Sequence, residues 1–152
     1  MYQHDEFMRE ALIEAQKAYD IGEVPIGAVV VKQGVIIGRG HNQKETTNNP
    51  VAHGEIMAIQ EAAKHLGSWR LSECDIYVTL EPCSMCAGAM VLARIKRLYI
   101  GTEDPKTGAC GSVFNIAESY HLNHQIQISF GLMKQECQDL IKKFFKELRR
   151  QT

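Results

Sequence analysis

The stretch from Cys74 to Ala93 constrains this chain more than any other. An apolar run (Ile76, Tyr77, Val78, Leu80) passes through Glu81-Pro82 into Cys83-Ser84-Met85-Cys86 and then into further apolar residues. The run is short and rich in β-branched and aromatic residues, as a buried strand is, and Pro82 suits the first turn of a helix. Cys83 and Cys86 therefore stand three apart at a helix start, which turns both sulfurs to one side. A helix N-terminus favours thiolate over thiol, because free N–H groups and the peptide dipoles stabilise the anion. The chain has five cysteines, Cys74, Cys83, Cys86, Cys110 and Cys137, and one tight pair among an odd number is a poor disulfide scaffold. Metal or redox use of the pair is the reading that remains.

A second stretch, His53-Gly54-Glu55, precedes Ile56, Ile59, Ala62, Ala63 and Leu66, which recur at helical spacing until Gly67. It too opens a helix. Zinc takes thiolates and imidazole, and a catalytic zinc keeps three protein ligands and one open position. His53 is the natural third ligand if the two helix starts lie at one end of a sheet. Glu55, two residues on, can reach a water at such an ion without ligating it, and can move its proton. Three plainer readings stand beside this one. The Cys pair alone would suit a redox motif, Cys74 or Cys110 could complete a four-ligand structural zinc, and a lone His before a helix is commonly a cap.

The remaining chain supplies a scaffold of the required kind. Residues 2–20 carry Phe7, Met8, Ala11, Leu12, Ala15 and Ala18 on one helical face, ended by Gly22. Val24 to Lys32 and Val35 to Gly40, joined by Gln33-Gly34, read as a hairpin. After a polar loop from His41 to Pro50 come the two helices and the strand described above, then a strand over 96–101. A loop with two glycines and a proline covers 102–112, a short helical piece is expected near 113–117 and a last strand over 125–129. Leu132 to Arg150 reads as a closing helix with Cys137, Leu140, Ile141, Phe144, Phe145 and Leu148 as its stripe. Five strands interleaved with helices predict a three-layer α/β/α sandwich on a mixed sheet, one domain over 1–152.

Net charge is −1, so no global basic field announces a nucleic acid, and any such contact must be local. Residues 1–6 are polar and acidic where a signal peptide needs a basic start and an apolar stretch, which sets the expectation of a cytoplasmic protein.

The ordered pair H-x-E and P-C-x-x-C is the signature of zinc nucleobase deaminases, and here the sequence resembles the cytidine-deaminase-like superfamily. It is similar in particular to bacterial tRNA-specific adenosine deaminases. The likeness runs through Gly22-Glu23-Val24-Pro25-Ile26-Gly27-Ala28, His41-Asn42, 67–71, 77–83, 104–108 and Asn123-His124. It implies one zinc ion per subunit on His53, Cys83 and Cys86, with Glu55 as proton shuttle. It further implies that Asn42 hydrogen-bonds the target base, that Ile26 and Leu80 wall its pocket, and that Asp104, Lys106, Asn123 and His124 line an RNA groove. The implied reaction is hydrolytic deamination of adenosine to inosine at the wobble position of a tRNA, tRNA-Arg in this family, by a homodimer. Lys142, Lys143, Lys146, Arg149 and Arg150 on the closing helix either meet phosphates or form a solvated basic face.

Three residues depart from the family pattern. Gly54 stands where Ala is usual, which loosens the helix start by about 1 kcal/mol. Gln125 stands where Arg commonly follows Asn-His, which removes a phosphate contact, and Ser84 stands where Val is common. A free-base or nucleoside deaminase of guanine or cytosine type is the alternative with the same chemistry, and a zinc-stabilised RNA-binding scaffold the alternative without it.

Overall fold

Alternation along the central strands decides the architecture. In β1 (Gly27–Lys32), Ala28 and Val30 point to one face while Val29 and Val31 point to the other, and all four are buried. The computed structural model describes residues 2–151, with Tyr2 by its backbone alone. β1 is flanked by β2 (Val35–His41) and β3 (Cys74–Leu80), both antiparallel to it. β4 (Arg97–Thr102) and β5 (Gln127–Phe130) extend the sheet in parallel with β3, giving the order β2-β1-β3-β4-β5.

Both faces of this mixed sheet are covered. α2 (Gly54–Leu66) and α3 (Ser84–Ala93) pack Ala58, Ala62, Cys86, Ala87 and Met90 against Val30, Ile76, Val78, Leu98 and Ile100. On the other face, α1 (Tyr2–Asp20) and α4 (Lys134–Gln151) bring Met8, Ala11 and Cys137 to Val29, Val31 and Tyr77. The α/β/α sandwich expected from the pattern is what the chain forms.

Two glycines on β2 set the height of α2 above the sheet. A Cβ on Gly38 would stand 2.2 Å from the Ala58 carbonyl oxygen, and one on Gly40 would stand 2.3 Å from that of Gly54. No side chain fits there, so the helix rides on bare backbone and its first turn is held beside the end of β2.

The differences from the sequence reading have local causes. β1 begins at Gly27 rather than Val24, because the Ile26 N–H turns back to the Val24 carbonyl across Pro25. Residues 113–117 form no helix: the N–H groups of Val113 and Phe114 both return to the Gly108 carbonyl, and Asn115 bridges Cys110. β5 is shifted to 127–130, since Gln125 is spent on a loop: its Nε2 donates to the carbonyls of Ser119 and Leu122. α4 starts at Lys134 because Gly131 and Met133 hold positive φ, at 94° and 53°, which no helix tolerates.

Candidate active site

His53 and Cys83 hold equivalent places at the starts of two helices. His53 is the N-cap of α2 and Cys83 the N-cap of α3, and neither side chain makes a capping hydrogen bond. Caps are normally Ser, Asn or Asp, whose side chains satisfy free N–H groups worth about 1 kcal/mol. Here both side chains turn to each other instead. The His53 Nδ1 lies 3.7 Å from the Cys83 Sγ and 3.6 Å from the Cys86 Sγ. The three ligand atoms fall within 4.8 Å of one another, and Cys74 and Cys110 are not part of this cluster.

These separations fit a tetrahedral zinc: bonds of about 2.0 Å to nitrogen and 2.3 Å to sulfur put the two donors roughly 3.5 Å apart. The electrostatics fit as well. A hydrogen bond from the Cys86 thiol, then one from His53, holds the Cys83 thiol down at about 4, although burial opposes this. Cys86, fully buried, is pushed far up, first by the Cys83 sulfur and then by burial. The donor set thus holds one thiolate by itself, and a second only beside a cation. His53 is raised above the usual imidazole range, chiefly by its hydrogen bond to Cys83.

Glu55 sits in the first turn of α2 and is 3% exposed. Burial pushes its carboxyl up to about 7, against the pull of its own backbone N–H and of His53. Its Oε1 is buried without a hydrogen-bond partner. A buried carboxyl oxygen with nothing to bond is costly unless something else occupies the space before it.

Asn42 follows β2 and is joined to both sides of the site. Its N–H donates to the Ile26 carbonyl at 3.1 Å, and its Oδ1 accepts the Gly54 N–H at 2.8 Å. A backbone N–H can only donate, so the amide orientation is fixed and Nδ2 is the atom left to face a ligand. The hydrogen bond to the target base that the resemblance implies for Asn42 is therefore one the fold leaves it to make as a donor.

Ile26 and Leu80 line a cleft of about 460 Å³ with Val24, Asp104, Lys106 and the α4 residues Ile141, Lys142 and Phe145. The metal-ligand side chains are not among its walls, but Leu80 is three residues from Cys83 and Ile26 is bonded to Asn42. The Asp104 carboxylate also serves its own turn, accepting from the N–H groups of Lys106 and Thr107 and the Thr107 hydroxyl. Asn123 and His124 are elsewhere. His124 Nε2 is 2.6 Å from the Ile95 carbonyl, just before β4, whereas Asp104 follows its far end. Six residues of strand, about 17 Å at its usual rise, separate them.

Three acids to which the sequence reading gives no role hold the surrounding loops. Glu23, 3% exposed, accepts from the N–H groups of Glu45 and Thr46 and from the Thr46 hydroxyl. Glu14 joins α1 to Arg39 and His41 on β2. Glu81, between the strand and Pro82, gathers the 104–112 loop. A lone acid inside an otherwise apolar or tight-turn stretch was the available signal.

A profile of MafB19-like deaminases matches residues 2–149. The tRNA-specific adenosine deaminase of Bacillus subtilis strain 168 is 47% identical over 150 residues, covering 99% of this chain and 93% of that protein. A solved tRNA A34 deaminase, studied for A-to-I editing at the wobble position of transfer RNA, superposes with a TM-score of 0.86 at 44% identity, covering 89% of this chain and 98% of that one. A guanine deaminase from Bacillus subtilis is 41% identical with a TM-score of 0.63, but covers 66% of this chain and 64% of its own. Matched almost end to end by the first two, and over the stretches that form the site, the chain belongs to the family of tRNA-specific adenosine deaminases.

Proposed function

We propose that the chain, acting as one deaminase domain, hydrolyses adenosine to inosine at the first anticodon position of a tRNA, tRNA-Arg foremost, with one zinc ion per chain. The observation that carries this reading is Glu55: a buried carboxyl with an unpartnered oxygen, beside a His/Cys/Cys set that lacks a fourth protein donor among the described residues. A structural zinc would have four ligands and no use for such a neighbour.

His53, Cys83 and Cys86 would hold the ion, which when bound supplies a Lewis acid that makes water a nucleophile at neutral pH. Glu55, with a carboxyl raised to about 7, is suited both to take a proton and to return it. It accepts one from the water that attacks C6 and delivers it to the ring nitrogen, and then to the departing amine. Adenosine and water give inosine and ammonia. Asn42 Nδ2 donates to a purine acceptor, and Ile26 and Leu80 flank the base.

Such a base must leave its stack, which an anticodon loop permits at small expense. Lys106 and Lys142 are among the residues that line the cleft, and their ammonium groups would meet phosphates of a splayed nucleotide. Gln125 does not offer a phosphate contact in its present role as a loop tie. We infer a homodimer through α3, where Leu92 and Trp69, 69% and 59% exposed, form an apolar face that a second copy would cover. No helix among the described residues is long and apolar enough to cross a membrane, and we place the enzyme in the cytoplasm, where thiolate ligands stay reduced.

Ammonia release from an anticodon stem-loop, compared with free adenosine, guanine and cytosine, tests the reading. Turnover of the RNA that Glu55→Ala abolishes, with zinc retained, is the expected result. Turnover of guanine or cytosine and none of RNA would replace it with a free-base deaminase.

A further inference from the structure

We propose that Glu81 is a positioning residue whose carboxylate latches the 104–112 loop to the strand–helix junction presenting Cys83, and so sets the cleft wall that bears Asp104 and Lys106. The loop's importance for substrate rests on the function proposed above; the latch itself does not.

Glu81 is 3% exposed and lies between Leu80, in the cleft wall, and Pro82-Cys83. Its Oε1 accepts the Asp104 N–H at 2.9 Å and also the Ser112 hydroxyl. Its Oε2 accepts the N–H groups of Cys110 at 3.0 Å and Ser112 at 3.1 Å. One buried carboxylate thus receives four donors from both ends of the loop. An amide cannot replace it, since one of its two atoms would present N–H groups to donors.

The loop is shaped to this group. A Cβ on Gly108 would stand 2.3 to 2.5 Å from the three carboxylate atoms, so any larger residue would displace it. Most other bonds of the loop are internal, from Gly108 to Asp104 and from Val113 and Phe114 to Gly108. Beyond Glu81, the backbone bond from Ala109 to the Pro82 carbonyl, at 2.8 Å, fastens it to the same junction. Burying an acid so near the Cys83 thiolate is unfavourable unless its lone pairs are met, and the loop meets them. Solubility and core packing give no reason for an acid here. Registering the loop against the start of α3 does.

The test uses the zinc-loaded protein with Glu81→Gln, reading metal content, amide exchange of 104–112, and kinetics on the anticodon stem-loop. Zinc should remain at the wild-type ratio. Exchange of the Asp104, Cys110 and Ser112 amides should rise at least about tenfold, the expected result of losing charge-assisted hydrogen bonds. KM should rise about tenfold while kcat stays within about twofold, as for lost binding rather than lost chemistry. Gly108→Ala should give the same pattern, and the double variant should be no worse than the worse single one, because both break one latch. If Glu81→Gln does not fold, Ser112→Ala, which removes one donor and spares the backbone, should move exchange and KM in the same direction by less.

Unchanged exchange and KM, additive effects of the two substitutions, or a fall in kcat that follows zinc loss would each overturn the proposal. Should the wild type turn over no RNA while the exchange results hold, the proposed substrate fails and the latch stands.

Discussion

His53 and Cys83, the N-caps of α2 and α3, face each other across 3.7 Å and leave their own helices uncapped. Each helix start thereby loses a capping interaction of about 1 kcal/mol. Both side chains are placed instead where a cation would join them, so the stability missing from the helices would return on metal binding.

Substituting the cap should separate stability from function. With zinc removed by a chelator, His53→Ser should be more stable than the wild type by about 1 kcal/mol, because serine caps α2 and histidine does not. With zinc present the order should reverse, since the variant has lost a ligand. Urea melts with and without chelator measure both. A variant less stable in both conditions would show that the imidazole packs rather than waits.

Glu55 gives a pH dependence of definite sign. Its carboxyl has an ordinary value of 4.5 and is raised to about 7 in the metal-free fold, chiefly by burial. Between these values it is protonated when folded and ionised when unfolded, so unfolding releases a proton and stability falls as pH rises through the window. Above about 7 the penalty is complete. Glu55→Gln removes the charge and should stabilise the metal-free protein, little at about pH 4.5 and by a few kcal/mol at about pH 8, while turnover is lost. A stability gain independent of pH would contradict this.

What was legible in the sequence follows from what sequence patterns encode. Val29-Val30-Val31 and Ile76-Tyr77-Val78 announced strands buried on both faces, because only a sheet covered on both sides accepts unbroken apolar runs. Pro82-Cys83-x-x-Cys86 and His53-x-Glu55 announced their helix starts, and the fold brings them together. Long-range relations were not legible. That Asn42 would use its acceptor on Gly54, or that Gln125 would close its own loop, depends on partners distant in space or on a loop path. The 113–117 segment had helix-compatible residues, but Gly108 captured its N–H groups first.

Two glycines near the site should respond unequally to alanine. At Gly54 a Cβ would meet the Ile26 carbonyl oxygen and His41 Cα at 3.1 Å and the Gly40 carbonyl oxygen at 3.2 Å, a crowding that shifts of a few tenths of an ångström relieve. Alanine gains about 1 kcal/mol of helix propensity, so Gly54→Ala should change stability by less than about 1 kcal/mol and leave zinc bound. At Gly40 a Cβ would stand 2.3 Å from the Gly54 carbonyl oxygen and 2.7 Å from the Ala58 nitrogen. Nothing there is a flexible tip. Gly40→Ala must lift α2 off the sheet, costing about 3 kcal/mol or more and carrying His53 away from the cysteines. Thermal melts and zinc content read both; equal effects at the two sites would show that α2 does not ride on β2 as described.

The last prediction concerns the bare side of α3. Ser84–Ala93 contains no charged residue, and its buried side chains, Cys86, Ala87, Met90, Val91 and Ala93, account for the face turned to the sheet. Leu92 points away, 69% exposed, next to Trp69, Ala89 and Arg94 around an apolar hollow. A helix apolar all round is stable in water only when its outer face is also covered. Leu92→Lys places a charge at the centre of that face without touching the core, so the folded chain should survive with its melting temperature in zinc lowered only by the loss of association. Sedimentation should then show the mass of one chain, 17.1 kDa, where the wild type shows about twice that. A wild type that sediments as one chain, or a variant that sediments as two, would remove α3 as the interface.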